Sequence, residues 1–285
     1  MTLCVSADRA VDPATVAMLR VVDAAMVELG MSYFIAGATA RDILLAHVFD
    51  IPTIRATLDV DLAVAVENWE QFESLKARLV DLKAFQHDRK AAHRLHYISK
   101  DGRAGSPLDI IPFRGVEEEG NTIRWPPEMA IVMNVVGYEE ALAASVPVEM
   151  AMGLTVNVAS LPGLAILKLF AWLDRGRETP KDAQDFVVLL RSYSGAGNQD
   201  RLYTDELALL ESVGFDVDVA GAILLGKDVK KIAESGTLDR LNRLLEDRGV
   251  THRLITHMAA ELRAADDSVS AAETLLQHFR TGLDL

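Results

Sequence analysis

Apolar side chains recur at helical spacing along residues 14 to 30, at Val16, Leu19, Val22, Ala25, Met26 and Leu29, and the run stops at Gly30. This predicts an amphipathic helix with a glycine stop. The short apolar run Tyr33 to Ala36 leads into Gly37-Ala38, and Thr39 with Asp42 three residues on approximates a capping box ahead of Ile43, Leu44 and Leu45. That order reads as strand, tight turn, helix. From Leu58 to Val66 the chain alternates, with Leu58, Val60, Leu62, Val64 and Val66 on one face and Asp59, Asp61, Ala63 and Ala65 on the other. A strand is expected there, followed by a helix over about residues 68 to 84. His93 to Ser99 and Leu108 to Pro112 predict two further strands, separated by the turn-rich segment Lys100 to Ser106. Weaker strand signals lie near 131–136 and 146–158. From Ser160 onward the pattern is helical, with breaks around Gly176 to Pro180, Ser192 to Asn198, and Gly226. The expected division is therefore an α/β (α+β) domain over residues 1–160, a mixed sheet flanked by helices, and a mainly helical domain over 161–285.

Residues two apart on a strand project to the same side, so Asp59 and Asp61 present neighbouring carboxylates suited to hard cations. An isolated Asp-x-Asp is more often a solvent-facing strand edge. The turn at Gly37-Ala38 changes that balance, because small side chains let a ligand approach the backbone at the start of a helix, where N–H groups and Arg41 favour an anion. The structural alternative for Arg41 is an ion pair with Asp42 or another acid. A third acid, Asp109, sits among Leu108, Ile110, Ile111 and Pro112 on an apolar strand, where a carboxylate without a partner is costly. Three carboxylates around two magnesium ions suit phosphoryl and nucleotidyl transfer.

Composition narrows the setting. At 285 residues, half of them hydrophobic, the chain is long enough for one large or two ordinary domains. No apolar run approaches the roughly 20 residues that cross a bilayer, and the N-terminus lacks a signal-peptide layout, so no membrane partner and a cytoplasmic location are expected. Cys4 is the single cysteine and is read as a bystander. A formal charge of -13 repels polyanions on average, so a nucleic-acid partner requires a local basic surface.

The runs Gly37-Ala38-Thr39-Ala40-Arg41-Asp42-Ile43-Leu44-Leu45 and Thr57-Leu58-Asp59-Val60-Asp61-Leu62 resemble the signature of the polymerase beta nucleotidyltransferase superfamily, with wording near CCA-adding enzymes and abortive-infection toxins of the AbiEii/AbiGii type. The resemblance covers about residues 30 to 190. It implies a nucleotidyltransferase fold and metal ligation by Asp59, Asp61 and Asp109. It also implies a nucleotide-binding set drawn from Gly37, Ala38, Thr39, Arg41 and Thr57. Such families usually carry Gly-Gly or Gly-Ser where this chain has Gly37-Ala38; backbone donation survives the alanine, and a serine hydroxyl contact is lost.

In the second domain, Lys168 lies among Leu164, Ile166, Leu167, Leu169 and Phe170, and a later helix opens Thr179-Pro180-Lys181-Asp182 with Asp185 one turn on. Capping and salt bridges explain these charges. Lys168, Arg175, Lys181, Asp182 and Asp185 also resemble elements that follow the core in the toxin family, which implies a catalytic, triphosphate-facing role for Lys168 and supporting roles for the aspartates. His93 and His96 fall on opposite faces of a strand and are not read as a zinc site. His252 and His257 are read as surface or packing residues.

The leading expectation is magnesium-dependent transfer of a nucleoside monophosphate from a nucleoside triphosphate to a hydroxyl, with Asp109 as base and the active site in a cleft between the domains. The toxin resemblance implies an RNA acceptor, tRNA in particular, and an antitoxin partner. The alternatives are an antibiotic or protein nucleotidyltransferase, or a non-catalytic nucleotide-binding or partner-binding module.

Overall fold

The computed structural model describes residues 2–53, 59–99, 104–151, 153–262 and 267–285. Two compact units divide the chain, Met1–Ser160 and Leu161–Leu285. Thr57 and Leu58, and Lys100 to Arg103 of the turn-rich segment, lie outside the described residues.

The first unit begins with β1 (Leu3–Cys4) and α1 (Pro13–Leu29). Pro13 at the first helical position is preset for helix, the Asp12 carboxylate accepts from the Thr15 N–H at 2.9 Å, and Gly30 ends the helix at φ 64°. The face carrying Val16, Met18, Leu19, Val22, Ala25 and Met26 is buried. Next come β2 (Tyr33–Ala36) and α2 (Gly37–Asp42), which runs into a π-helical turn over Ile43–Val48. Then follow β3 (Val60–Val66), α3 (Trp69–Asp81), β4 (Phe85–His87), β5 (Arg94–Ile98), β6 (Ala104–Arg114), β7 (Thr122–Arg124), β8 (Val132–Asn134), α4 (Tyr138–Ala143), β9 (Val146–Glu149) and β10 (Thr155–Val158).

Eight strands form one mixed sheet in the order β1-β9-β10-β2-β3-β6-β5-β4, and β7 and β8 form a separate antiparallel pair. In the middle of the large sheet, β3 runs antiparallel to β2 and parallel to β6. Leu62, Ala63, Val64 and Val66 are all buried, so both faces of β3 are covered and its alternation marks two packed faces, with Asp61 as the polar interruption.

Two local expectations are corrected in this unit. Thr39 is not a helix cap: Gly37 adopts φ +64° and turns the strand directly into α2, so Ala36 takes the cap position and Thr39 lies inside the helix. The turn after β5 is also shorter than expected, because Gly105 and Ser106 belong to β6, which pairs back to Ile98 through Ala104.

The second unit is helical throughout: α5 (Leu161–Arg175), α6 (Lys181–Ser192), α7 (Gln199–Tyr203), α8 (Leu207–Ser212), α9 (Val217–Ile232), α10 (Ser235–Glu246), α11 (Arg248–Ala259) and α12 (Ser268–Gly282). Its core holds the fully buried Trp172, Phe186 and Phe279, the last two edge to face with centroids 5.2 Å apart. Gly226 is not a break. It lies within α9, where a Cβ would stand 2.2 Å from the Phe279 carbonyl oxygen of α12, so the glycine serves close helix packing rather than helix termination.

Candidate active site

The register of three neighbouring strands gathers the acids of the first unit. Asp61 on β3 stands opposite Ala36 on β2 and opposite Asp109 on β6. Asp59 is the residue just before β3 begins; the Thr39 hydroxyl donates to its carbonyl oxygen at 2.7 Å and pins that backbone to α2. Thr39 therefore organises the acidic strand through its entry segment.

Gly37 is required here by space as well as by its φ. A Cβ on it would fall 1.8 Å from Asp61 Oδ2, so the bare backbone of the turn lies directly against the Asp61 carboxylate. Gly37 and Ala38 are half-buried. Arg41 is buried in the last turn of α2, a correction to its expected place near the helix start, and it donates from Nε and Nη2 to Asp42 Oδ1 at 2.9 and 2.6 Å. The helix starts three residues earlier than the capping pattern implies, which moves Arg41 down its length.

Sequence reasoning missed Arg94. From β5 its guanidinium grips Asp109 with both prongs, Nε to Oδ1 at 2.6 Å and Nη2 to Oδ2 at 2.6 Å, while Nη2 lies 3.8 Å from Asp59 Oδ2. This is the bidentate fork that arginine makes with carboxylates. The hydrogen bonds to Asp109 hold the guanidinium pKa above its already high ordinary value. Asp109 is buried, and Arg94 supplies the compensating charge that burial demands. The cross-strand pairing of Arg94 with Asp109 is a register fact. A basic residue on a half-buried strand was the available signal.

His93 adjoins the cluster, its Nε2 4.0 Å from Asp109 Oδ1 and its ring against Trp125 with centroids 5.2 Å apart. Burial lowers its pKa, only partly opposed by the Asp109 charge, so the imidazole is neutral near pH 7. His96 serves a different group: its Nε2 is 2.7 Å from Asp88 Oδ2.

Among the described residues, no three histidine, cysteine, aspartate or glutamate side chains are drawn together as a ready metal cage. The carboxylates are instead tied together by a guanidinium. Their chemistry still fits a hard divalent ion: the donors are all carboxylate oxygens, Asp61 and Asp109 are neighbours in register, and Arg94 shows that a cation is accommodated among them.

Lys168 belongs to the second unit. It is buried on α5 with Nζ 2.6 Å from Asp185 Oδ2 and 3.2 Å from Asp182 Oδ1, both on α6. Arg175 Nε adds a 2.6 Å contact to Asp182 Oδ2. Burial pushes the Asp182 carboxyl up, but the Arg175 hydrogen bond and the Lys168 and Arg175 charges outweigh it and hold its pKa below the usual value. These ionic residues staple α5 to α6.

No helix among the described residues is long and apolar enough to cross a membrane. No curated protein matches the chain. Similar solved structures include the solution structure of the antibiotic-resistance factor ANT(2'')-Ia, at 14% identity and TM-score 0.37 over 72% of this chain and 98% of that one. A CCA-adding enzyme in complex with ATP is similar at 15% identity and TM-score 0.31, over 97% of this chain and 68% of that one. The sequence model of the family described as "Nucleotidyl transferase AbiEii toxin, Type IV TA system" matches residues 22–278. The match spans the mixed sheet except β1, the acidic cluster and nearly all of the helical unit, and the chain belongs to this family of nucleotidyltransferase toxins.

Proposed function

We propose that the first unit is the catalytic domain and that it transfers a nucleoside monophosphate from a nucleoside triphosphate to a hydroxyl of an RNA acceptor, with tRNA the first candidate. The supporting observation is the juxtaposition of a bare glycine turn with Asp61, itself in register with Asp109. Family membership supports nucleotidyl transfer, and the toxin description of the family supports the existence of a cognate antitoxin.

In this reading the backbone at Gly37 and Ala38 receives the triphosphate, since no side chain intervenes between the turn and the acids. Asp59, Asp61 and Asp109 would hold two magnesium ions. Bound there, magnesium supplies positive charge that offsets the build-up on the phosphates and the departing pyrophosphate. Asp109 accepts the proton of the acceptor hydroxyl as its oxygen bonds to the α-phosphorus, and the bond from that phosphorus to the bridging oxygen of pyrophosphate breaks. Arg94 holds Asp109 in place until its fork loosens and one carboxylate oxygen turns to the acceptor. Lys168 is proposed to contact the triphosphate by way of the toxin resemblance, with Asp182 and Asp185 orienting its ammonium.

The test incubates purified protein with magnesium and each labelled nucleoside triphosphate, with and without total tRNA, and follows label into polymer, protein and pyrophosphate. Label entering tRNA and lost in Asp59→Ala, with a normal melting curve, supports the reading. Label entering protein or a small molecule removes the RNA assignment, and no pyrophosphate under any condition removes catalysis.

A further inference from the structure

A second feature of the first unit lies beside the acids and is used by nothing described so far. It is an open pocket of about 440 Å³ walled by Trp69, Phe72, Trp125, Pro126 and Pro127. The aromatic rings support one another, with Trp69 and Trp125 5.7 Å apart and Phe72 and Trp125 5.9 Å apart between centroids. Glu70 and Glu73 also line it, and the Glu73 charge is compensated by Lys76 at 3.0 Å.

One wall comes from the loop between β4 and β5. Asp88 folds that loop: its Oδ1 accepts from the Lys90 and Ala91 N–H groups at 2.7 and 2.8 Å, and its Oδ2 pairs with His96. The loop then places Ala92 on the pocket, His93 between Trp125 and Asp109, and the exposed Arg89 and Lys90 on the surface. Arg89 and Lys90 are the two exposed cations of this loop, and an RNA partner of so acidic a chain requires local positive charge.

We propose that this pocket stacks an unpaired nucleobase of the acceptor RNA, with Arg89 and Lys90 contacting the neighbouring phosphates. The inference rests on the nucleotidyl-transfer reading above. Sheet order separates acceptor from donor: the Gly37 turn leaves β2 on one side of β3, whereas Asp109 on β6 and the β5 loop lie on the other. A triphosphate against Gly37 and a hydroxyl against Asp109 therefore arrive from opposite sides of β3, and the pocket is on the hydroxyl side. The part-exposed Trp69 indole, backed by the buried Trp125 and Phe72 rings, can stack any base, and the Glu70 carboxylate suits an exocyclic amino group.

Binding of fluorescein-labelled eight-nucleotide oligo(A), oligo(C) and oligo(U) RNA is measured by anisotropy without magnesium or nucleotide, so that catalysis is not needed. Trp69→Ala is expected to weaken binding about tenfold, Trp69→Phe to restore most of it, and Arg89→Glu with Lys90→Glu to weaken it for all three sequences. Melting curves confirm folding. RNA affinity unchanged in Trp69→Ala, or a pocket that responds to spermidine and not to RNA, overturns the proposal. RNA bound through Trp69 by a protein that transfers no nucleotide leaves the pocket standing and removes the catalytic reading. Transfer to tRNA with a KM unaffected by Trp69→Ala does the reverse.

Discussion

Gly37 carries two constraints at once, a left-handed φ of +64° and a backbone pressed against Asp61. Gly37→Ala meets both: the conformation alone costs about 1–2 kcal/mol, and the new methyl must displace the carboxylate. We expect pyrophosphate release to fall at least about a hundredfold, since misplacement by about 1 Å is sufficient for such a loss. Kinetics and a thermal melt check the two effects separately. Arg94 makes a second prediction at this scale. Arg94→Ala leaves the buried Asp109 without its fork, and removing a partner from a buried charged group costs about 1–3 kcal/mol or more. A lower melting temperature together with reduced turnover is expected; an unaltered melt would show that the fork contributes nothing to holding Asp109. Strand period made Asp61 legible as an acid of β3, although Asp59 falls just before that strand rather than on it. Arg94 was not legible, because nothing local connects a basic residue on β5 with an acid on β6.

At the scale of elements, α5 and α6 are joined through Lys168, Asp182, Asp185 and Arg175. Lys168→Met removes the ammonium held between two buried carboxylates, Asp182 keeping its Arg175 partner, and breaking a buried pair in this way costs about 3–5 kcal/mol, measurable as a lower urea midpoint. The pH dependence follows from Asp182. Its folded pKa lies below the unfolded 3.8, so its stabilisation is present above pH 3.8 and is lost as pH falls through the lower folded value. Acid unfolding should accordingly shift to higher pH in Asp182→Asn, which already lacks that charge. The crossing of α9 and α12 depends on glycine in a different way. Gly226→Leu places a side chain against the Phe279 carbonyl and is expected to destabilise the unit by about 1–3 kcal/mol or more. A glycine in a helical pattern looks like a stop when its sequence neighbours alone are considered; only the facing helix shows that it is a contact.

For the whole molecule, the charge of -13 opposes an RNA acceptor while Arg89 and Lys90 favour one locally. Two phosphate contacts on a single strand predict a shallow salt dependence, about sevenfold in binding between 50 and 200 mM salt, against losses of about a thousandfold or more for six to ten contacts to duplex. Anisotropy titrations across that range read the slope directly. A steep slope would point to a larger basic surface than this loop.

The sequence by itself determined the kinds of elements and their approximate places. Helix α1 with its glycine stop, the acidic strand β3, and the change from strand to helical periodicity all arise from spacings within one segment, where side-chain direction follows backbone geometry. The tertiary structure alone decided which segments became neighbours. The register of Asp61 with Asp109, the Arg94 fork across β5 and β6, the collapse of Gly37 onto Asp61, and the aromatic pocket beside His93 all join positions far apart in the chain. Local propensity carries no record of such pairings, because hydrogen-bond register and side-chain packing between distant strands are set only when the whole sheet closes.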